Sequence, residues 1–178
     1  MDVSAGQFLF ILVKLSGLTA MALLVLQIVF GLTRRVLPFL FSIGQHQALG
    51  AATLLVIAFH ITTFVVAASM RNKIPALDLL WPNFHGYYRT WLTAGLIGSW
   101  LLILGLIGAL LGGRWRRLHW LMPVGFTLAF VHSLRVGSEA RTGTMLYVYA
   151  GYALAALMGL ALRIRLAPSQ NHSPFSNK

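Results

Sequence analysis

The sequence contains no cysteine and only three acidic residues, Asp2, Asp78 and Glu139. Without cysteine there is no disulfide, no thiolate nucleophile and no cysteine-ligated iron–sulfur cluster. Charge of either sign is scarce too: 10% of the 178 residues are charged, against about 25% in an average soluble domain. What replaces charge is apolar surface, with 58% hydrophobic residues and a mean hydropathy of +0.78. So few carboxylates cannot keep that surface in water, which excludes an ordinary soluble enzyme. The class is an all-α, polytopic membrane helix bundle forming one domain over residues 1–166. The net charge of +11 does not point to nucleic acid, because the basic residues cluster at the ends of apolar runs, not along one polar face. The first apolar run exceeds the about 7–15 residues of a signal-peptide core and has neither a basic start nor a small-x-small cleavage site. It reads as a retained helix.

Five transmembrane helices are predicted: Phe8–Leu32, Gln45–Ala68, Thr90–Leu111, Arg117–Val136 and Thr144–Leu162. Residues 167–178 are polar, contain two prolines and read as a disordered tail. The charge alternates across the loops. One side holds Arg34, Arg35, Arg114, Arg116, Arg117, Arg163, Arg165 and Lys178 without an acid. The other holds Arg71, Lys73, Arg89, Arg135 and Arg141 together with Asp2, Asp78 and Glu139. The positive-inside rule then puts the N-terminus outside and the C-terminus in the cytoplasm. Trp81, Trp91, Trp115 and Trp120 fall at the interfaces, as an aromatic belt does. The loop from Ser69 to Arg89 is long enough to fold over the outer end of the bundle. In the third helix Gly98, Gly105 and Gly112 recur at heptad spacing, with Gly95 and Gly108 nearby. Such spacing serves close helix packing, or the close approach of a flat cofactor.

Four histidines stand in these spans. His46 and His60 lie fourteen residues apart on the second, and His119 and His132 thirteen apart on the fourth. Both spacings separate two levels by about 20 Å along a helix. The two helices run in the same direction through the membrane, so His46 pairs in depth with His119 and His60 with His132. One imidazole in a span is often satisfied by a neighbouring helix, but two pairs at matched depth suit bis-histidine ligation of two stacked b haems. The geometry carries one misfit. Fourteen residues return His60 to within roughly 40° of His46, whereas thirteen leave His132 roughly 140° from His119 on an ideal helix. A twist or kink in the fourth helix is therefore expected, with Pro123 and Gly125 as its causes. Haem propionates call for cations: Arg34, Arg35, Arg116 and Arg117 at the inner level, and Arg71, Arg89 and Arg135 at the outer. The same arginines also set topology. His85 in the outer loop reads as a solvated residue or a metal contact, and His172 as inert. Lys14 reads as snorkelling outward, and Gln27 as bonding a neighbouring helix or a quinone.

With these residues in view, the chain resembles the ferric reductase-like transmembrane domain family, which includes ferric reductases, NADPH oxidases and the haem-binding subunit of the bacterial methionine sulfoxide reductase system. The resemblance rests on the histidine spacings and on the arginine-rich segment RWRRLHWLMP at Arg114–Pro123, and it covers roughly Leu32 to Arg165. It implies haem ligands at His46, His60, His119 and His132. Many members have six helices with the ligands on the third and fifth; here five are counted, with ligands on the second and fourth. Larger members continue into a flavin and nicotinamide domain. Here only a short tail follows Arg165, with no G-x-G-x-x-G.

The function expected is therefore that of an oxidoreductase component without its own flavin or NAD(P)H domain, in a bacterial inner membrane. It would carry electrons from a cytoplasmic flavoprotein or membrane quinol to an outer acceptor such as ferric chelate, oxygen or a periplasmic redox protein. Two alternatives compete. One is a cytochrome b anchor subunit exchanging electrons with quinone for a partner complex. The other is a small histidine-lined transporter or metal permease, which would show interrupted helices in corresponding repeats and no visible absorbance.

Overall fold

The computed structural model describes residues 3–33, 42–137 and 143–166. Arg34, Arg35, Pro38, Glu139, Arg141 and the tail expected to be disordered all lie outside the described residues. Every described element is helical: α1 (Val3–Thr33), α2 (Ile43–Asn72), a short α3 (Ala76–Leu79), α4 (Tyr87–Leu111), a 3₁₀ helix (Gly113–Trp120), α5 (Leu121–Val136) and α6 (Thr144–Leu166).

Four of these are long and apolar enough to cross a bilayer, at Ala5–Thr33, Ile43–Asn72, Tyr87–Leu111 and Met145–Leu162 among the described residues. The chain is thus a multi-pass membrane protein. Its outward faces are apolar, as lipid contact requires: Leu55 is 71% exposed and Leu157 63%. The inward contacts are few, and the main buried cluster joins Ala20 and Leu24 of α1, Ile57 of α2 and Leu102 of α4.

The fourth predicted span is not one continuous α-helix. Residues 113–120 wind as a 3₁₀ helix, and α5 starts only at Leu121 and is 16 residues long, short of the roughly 20 that span a bilayer unaided. Pro123 supplies the physical reason. It has no N–H for the carbonyl of His119, four residues back, and its ring would crowd that carbonyl. The chain before it therefore closes i→i+3 bonds, and Pro123 falls in the first turn of α5, where a missing donor costs little. The winding changes at this point, from 3₁₀ up to Trp120 to α from Leu121.

Most packing joins helices adjacent in sequence, and α6 returns to pack on α1. α1 lies against α2 and α6, and α4 lies against the 3₁₀ helix and α5. The α1–α2 register is antiparallel, with Gly17 opposite His60, Gly50 opposite Gln27 and Gly31 opposite His46. The α4–α5 register is antiparallel too, with Gly95 at His132, Gly98 at Ala129, Gly105 at Met122 and Gly108 at Leu118. A Cβ on Gly98 would lie 3.0 Å from the backbone of Ala129, so this stripe serves close helix packing. Gly112 instead ends α4 with a φ of 65°.

The start of α2 is fixed by a reciprocal cap. Gln45 donates its backbone N–H to Ser42 Oγ at 3.1 Å, and the Ser42 N–H donates to Gln45 Oε1 at 2.9 Å. This pins the turn that carries His46. Ser42→Ala is expected to lower stability by about 1 kcal/mol, read as a fall in the denaturation midpoint in detergent. At the opposite end of the bundle the 69–89 loop folds inward. Thr93, which is buried, donates to Asn83 O at 2.7 Å and accepts from the Asn83 N–H at 2.9 Å. Trp81 stays 75% exposed.

Candidate functional site: two histidine levels

α2, which bears His46 and His60, and α5, which bears His132, are not packed on each other among the described residues; each rests on its own neighbour. The space between them is a cavity of about 770 Å³, lined by α1, α2, α4, α5 and α6 and reached by Leu79, Leu80 and Tyr88 from the loop end. That volume lies in the roughly 300–1,000 Å³ range of cofactor sites. His60 and His132 both line it. The buried layer of Leu24, Ile57 and Leu102 bounds it on the side away from the loop.

Both histidines are held by the same device. His132 Nδ1 is 2.7 Å from the carbonyl of Trp91. His60 Nδ1 is 3.1 Å from the carbonyl of Val13 and 3.1 Å from Ser16 Oγ. A carbonyl only accepts, so each Nδ1 carries the proton and donates it. The Ser16 hydroxyl also donates to Val13 O, at 3.1 Å. Each ring is thereby fixed as the tautomer whose Nε2 holds a lone pair. A ligand histidine needs that state, its second nitrogen anchored to a carbonyl and its first basic.

Glycines let the rings seat against the partner helices. A Cβ on Gly17 would come within 3.0 Å of His60 Cε1, and one on Gly95 within 2.5 Å of His132 Nδ1. Any side chain at Gly95 would displace the ring from the Trp91 carbonyl.

His46 and His119 occupy the other end of the bundle and do not line the cavity. His46 faces Gly31, where a Cβ would lie 3.6 Å from Cε1, and His119 Nδ1 is 3.4 Å from the carbonyl of Gly105. At this level the pattern is split, with a glycine facing His46 and a carbonyl, at a longer distance, facing His119. Gln27 Nε2 donates to His46 O at 3.2 Å, which is the helix-to-helix bond considered for it.

The arginines divide. Arg71 lines the cavity. Arg135 is exposed and stacks over Trp91 at 5.1 Å, away from the cavity wall. Arg116 and Arg117 are exposed on the 3₁₀ helix near His119, and Arg89 is exposed at the start of α4. His85 is exposed in the loop, its N–H donating to Asn83 Oδ1 at 2.9 Å.

The sequence reading missed Gly17, Gly31, Val13 and Ser16. A signal was there: Gly17 and Gly31 are fourteen residues apart, the spacing of His46 and His60. No family model, no curated protein and no solved structure matches this chain.

Proposed function

We propose that the chain is a di-haem b electron-transfer protein that carries electrons across a bacterial inner membrane, in the manner of the ferric reductase-like domains it resembles. The observation that carries this reading is the His60–His132 pair: two imidazoles on one large cavity, each held by its Nδ1 donating to a backbone carbonyl. The donor set fits a bis-histidine haem. The His46–His119 pair lies at the other level, with Gly31 against His46 and the Gly105 carbonyl against His119, and is assigned the second haem. Haem bound between two imidazoles supplies one-electron chemistry with no open iron position, so transfer to partners is outer-sphere.

The chain's own groups do the remaining work. The Val13, Trp91 and Gly105 carbonyls orient the rings and raise imidazole basicity. Apolar walls exclude water and ions from the path. The Leu24, Ile57 and Leu102 layer separates the two levels while keeping them within one bundle. Arg71 serves the outer propionates, and Arg116 and Arg117 the inner.

The 3₁₀ helix and α5 together form the fourth span in this reading, which brings the count to five. They run beside α4 from Trp115 at Gly108 to His132 at Gly95, roughly 20 Å of that helix. The His60–His132 end faces outward, with the N-terminus outside and the C-terminus in the cytoplasm. The donor is a cytoplasmic flavoprotein or quinol; the acceptor is an outer ferric chelate, oxygen or a periplasmic redox protein.

Vesicles test the conduit. Purified protein is reconstituted around trapped ferricyanide, and dithionite is added outside. Haem-loaded vesicles are expected to reduce the trapped ferricyanide many times faster than protein-free ones, and His60→Ala vesicles are expected to fall back towards the protein-free rate. Equal rates in loaded and empty vesicles would contradict the reading.

A further inference from the structure

Val13, Ser16 and Gly17 stand one turn apart on a single face of α1, and that face is the seat of His60. The Val13 carbonyl and the Ser16 hydroxyl each lie 3.1 Å from His60 Nδ1. The ring edge packs where Gly17 has no side chain, 3.0 Å from the place of a Cβ. Ser16 is buried. Three donors meet the Val13 carbonyl. The N–H of Gly17 reaches it in the α-helical ladder, the Ser16 hydroxyl donates to it at 3.1 Å, and His60 Nδ1 faces it. A carbonyl oxygen has two lone pairs, so the three must share. The Trp91 carbonyl plays the same part for His132. Among the described residues its donors are the ladder N–H of Gly95 and the imidazole, and the imidazole bond is 2.7 Å. The two ligand histidines of the cavity are thus backed unequally, and the Ser16 hydroxyl is the difference.

We propose that Ser16 weakens the hydrogen bond that backs His60 and so raises the potential of the haem that His60 ligates. This rests on the haem reading of the cavity. By donating to the Val13 carbonyl, the hydroxyl draws density away from the oxygen that His60 also needs. Its own oxygen offers Nδ1–H a second acceptor, and a hydroxyl accepts less strongly than a peptide carbonyl. An imidazole whose Nδ1–H is strongly bonded is the more basic ligand at Nε2, and a more basic ligand favours oxidised iron. His60 is therefore a weaker donor than His132. Ser16 acts through His60 and is a positioning residue. The His46–His119 level lies beyond the Leu24–Ile57–Leu102 layer, so its potential does not respond.

The test uses the full-length protein, loaded with haem in detergent. Wild type, Ser16→Ala, Ser16→Val and Ser16→Thr are titrated spectroelectrochemically. Val and Thr are nearly equal in size and differ in the hydroxyl, which separates the hydrogen bond from packing. The expected result is a downward shift of one of the two potentials in Ser16→Ala and Ser16→Val, a potential near that of wild type in Ser16→Thr, and no movement of the other potential. Unchanged or raised potentials in a Ser16→Ala protein that still holds both haems would overturn the inference and leave the haem reading standing. Equal shifts in Ser16→Val and Ser16→Thr would overturn it too, since size and not the hydroxyl would then be the cause. So would loss of this haem from Ser16→Ala, because the hydroxyl would then be holding the ring, not competing for its partner. Wild type without haem would overturn both readings.

Discussion

His132→Ala is expected to release one haem and keep the other. The ring of His132 is the α5 side of the cavity site, and no other described histidine lines that cavity besides His60. A single imidazole cannot give bis-histidine ligation, so haem per chain should fall by half and the remaining spectrum should stay low-spin. The fold should survive. The Trp91 carbonyl loses the 2.7 Å bond from His132, but it lies inside α4 and keeps an acceptor role in the helix ladder. The loss is that of a typical hydrogen bond, about 0.5–1.5 kcal/mol. His119 lies at the other end of the bundle, beyond the Leu24–Ile57–Leu102 layer, so its haem should not respond. Haem quantified per chain by pyridine haemochrome, together with size-exclusion behaviour, checks this. Loss of both haems from a well-folded variant would contradict two independent levels.

Gly95→Ala is the second large effect, and it touches no ligand atom by charge or chemistry. The added methyl carbon would sit 2.5 Å from His132 Nδ1 and 2.6 Å from Cγ, closer than nonbonded atoms can approach. The ring must swing away, and the bond to Trp91 O is then lost. Outer partners of this kind govern metal affinity by about 10–100-fold, so the variant should lose haem at this level on dilution or against a haem scavenger. Overpacking adds about 1–3 kcal/mol of destabilisation. Gly151→Ala, at a site where nothing lies within 4 Å, is the control and should retain both haems. Equal haem retention in Gly95→Ala and Gly151→Ala would remove the glycine from the site.

Much of this architecture was legible in the sequence because membrane constraints are coarse. Lipid forces internal hydrogen bonding, so runs of apolar residues must be helices, and the spans at Phe8–Leu32, Gln45–Ala68 and Thr90–Leu111 lie inside α1, α2 and α4. The paired depth of His60 and His132 followed from counting residues and crossings. The form of the fourth span did not. Apolar periodicity does not distinguish α from 3₁₀ winding, and Pro123 reads equally as a kink or as a first-turn residue until the start of α5 is known. The carbonyl partners were invisible for a different reason. Every residue has a carbonyl, and which one meets His132 depends on the α4–α5 register, which is set by the glycine contacts along the whole interface. For Lys14, snorkelling gives the direction towards the interface, and packing adds that it lines the cavity.

The most direct measurement is the reduced-minus-oxidised visible spectrum of the purified protein, with haem counted per chain after expression with ample haem. The expected result is a low-spin b-type spectrum at two haems per chain. A colourless, folded protein would contradict the haem reading at its root and return the histidines to a transport path.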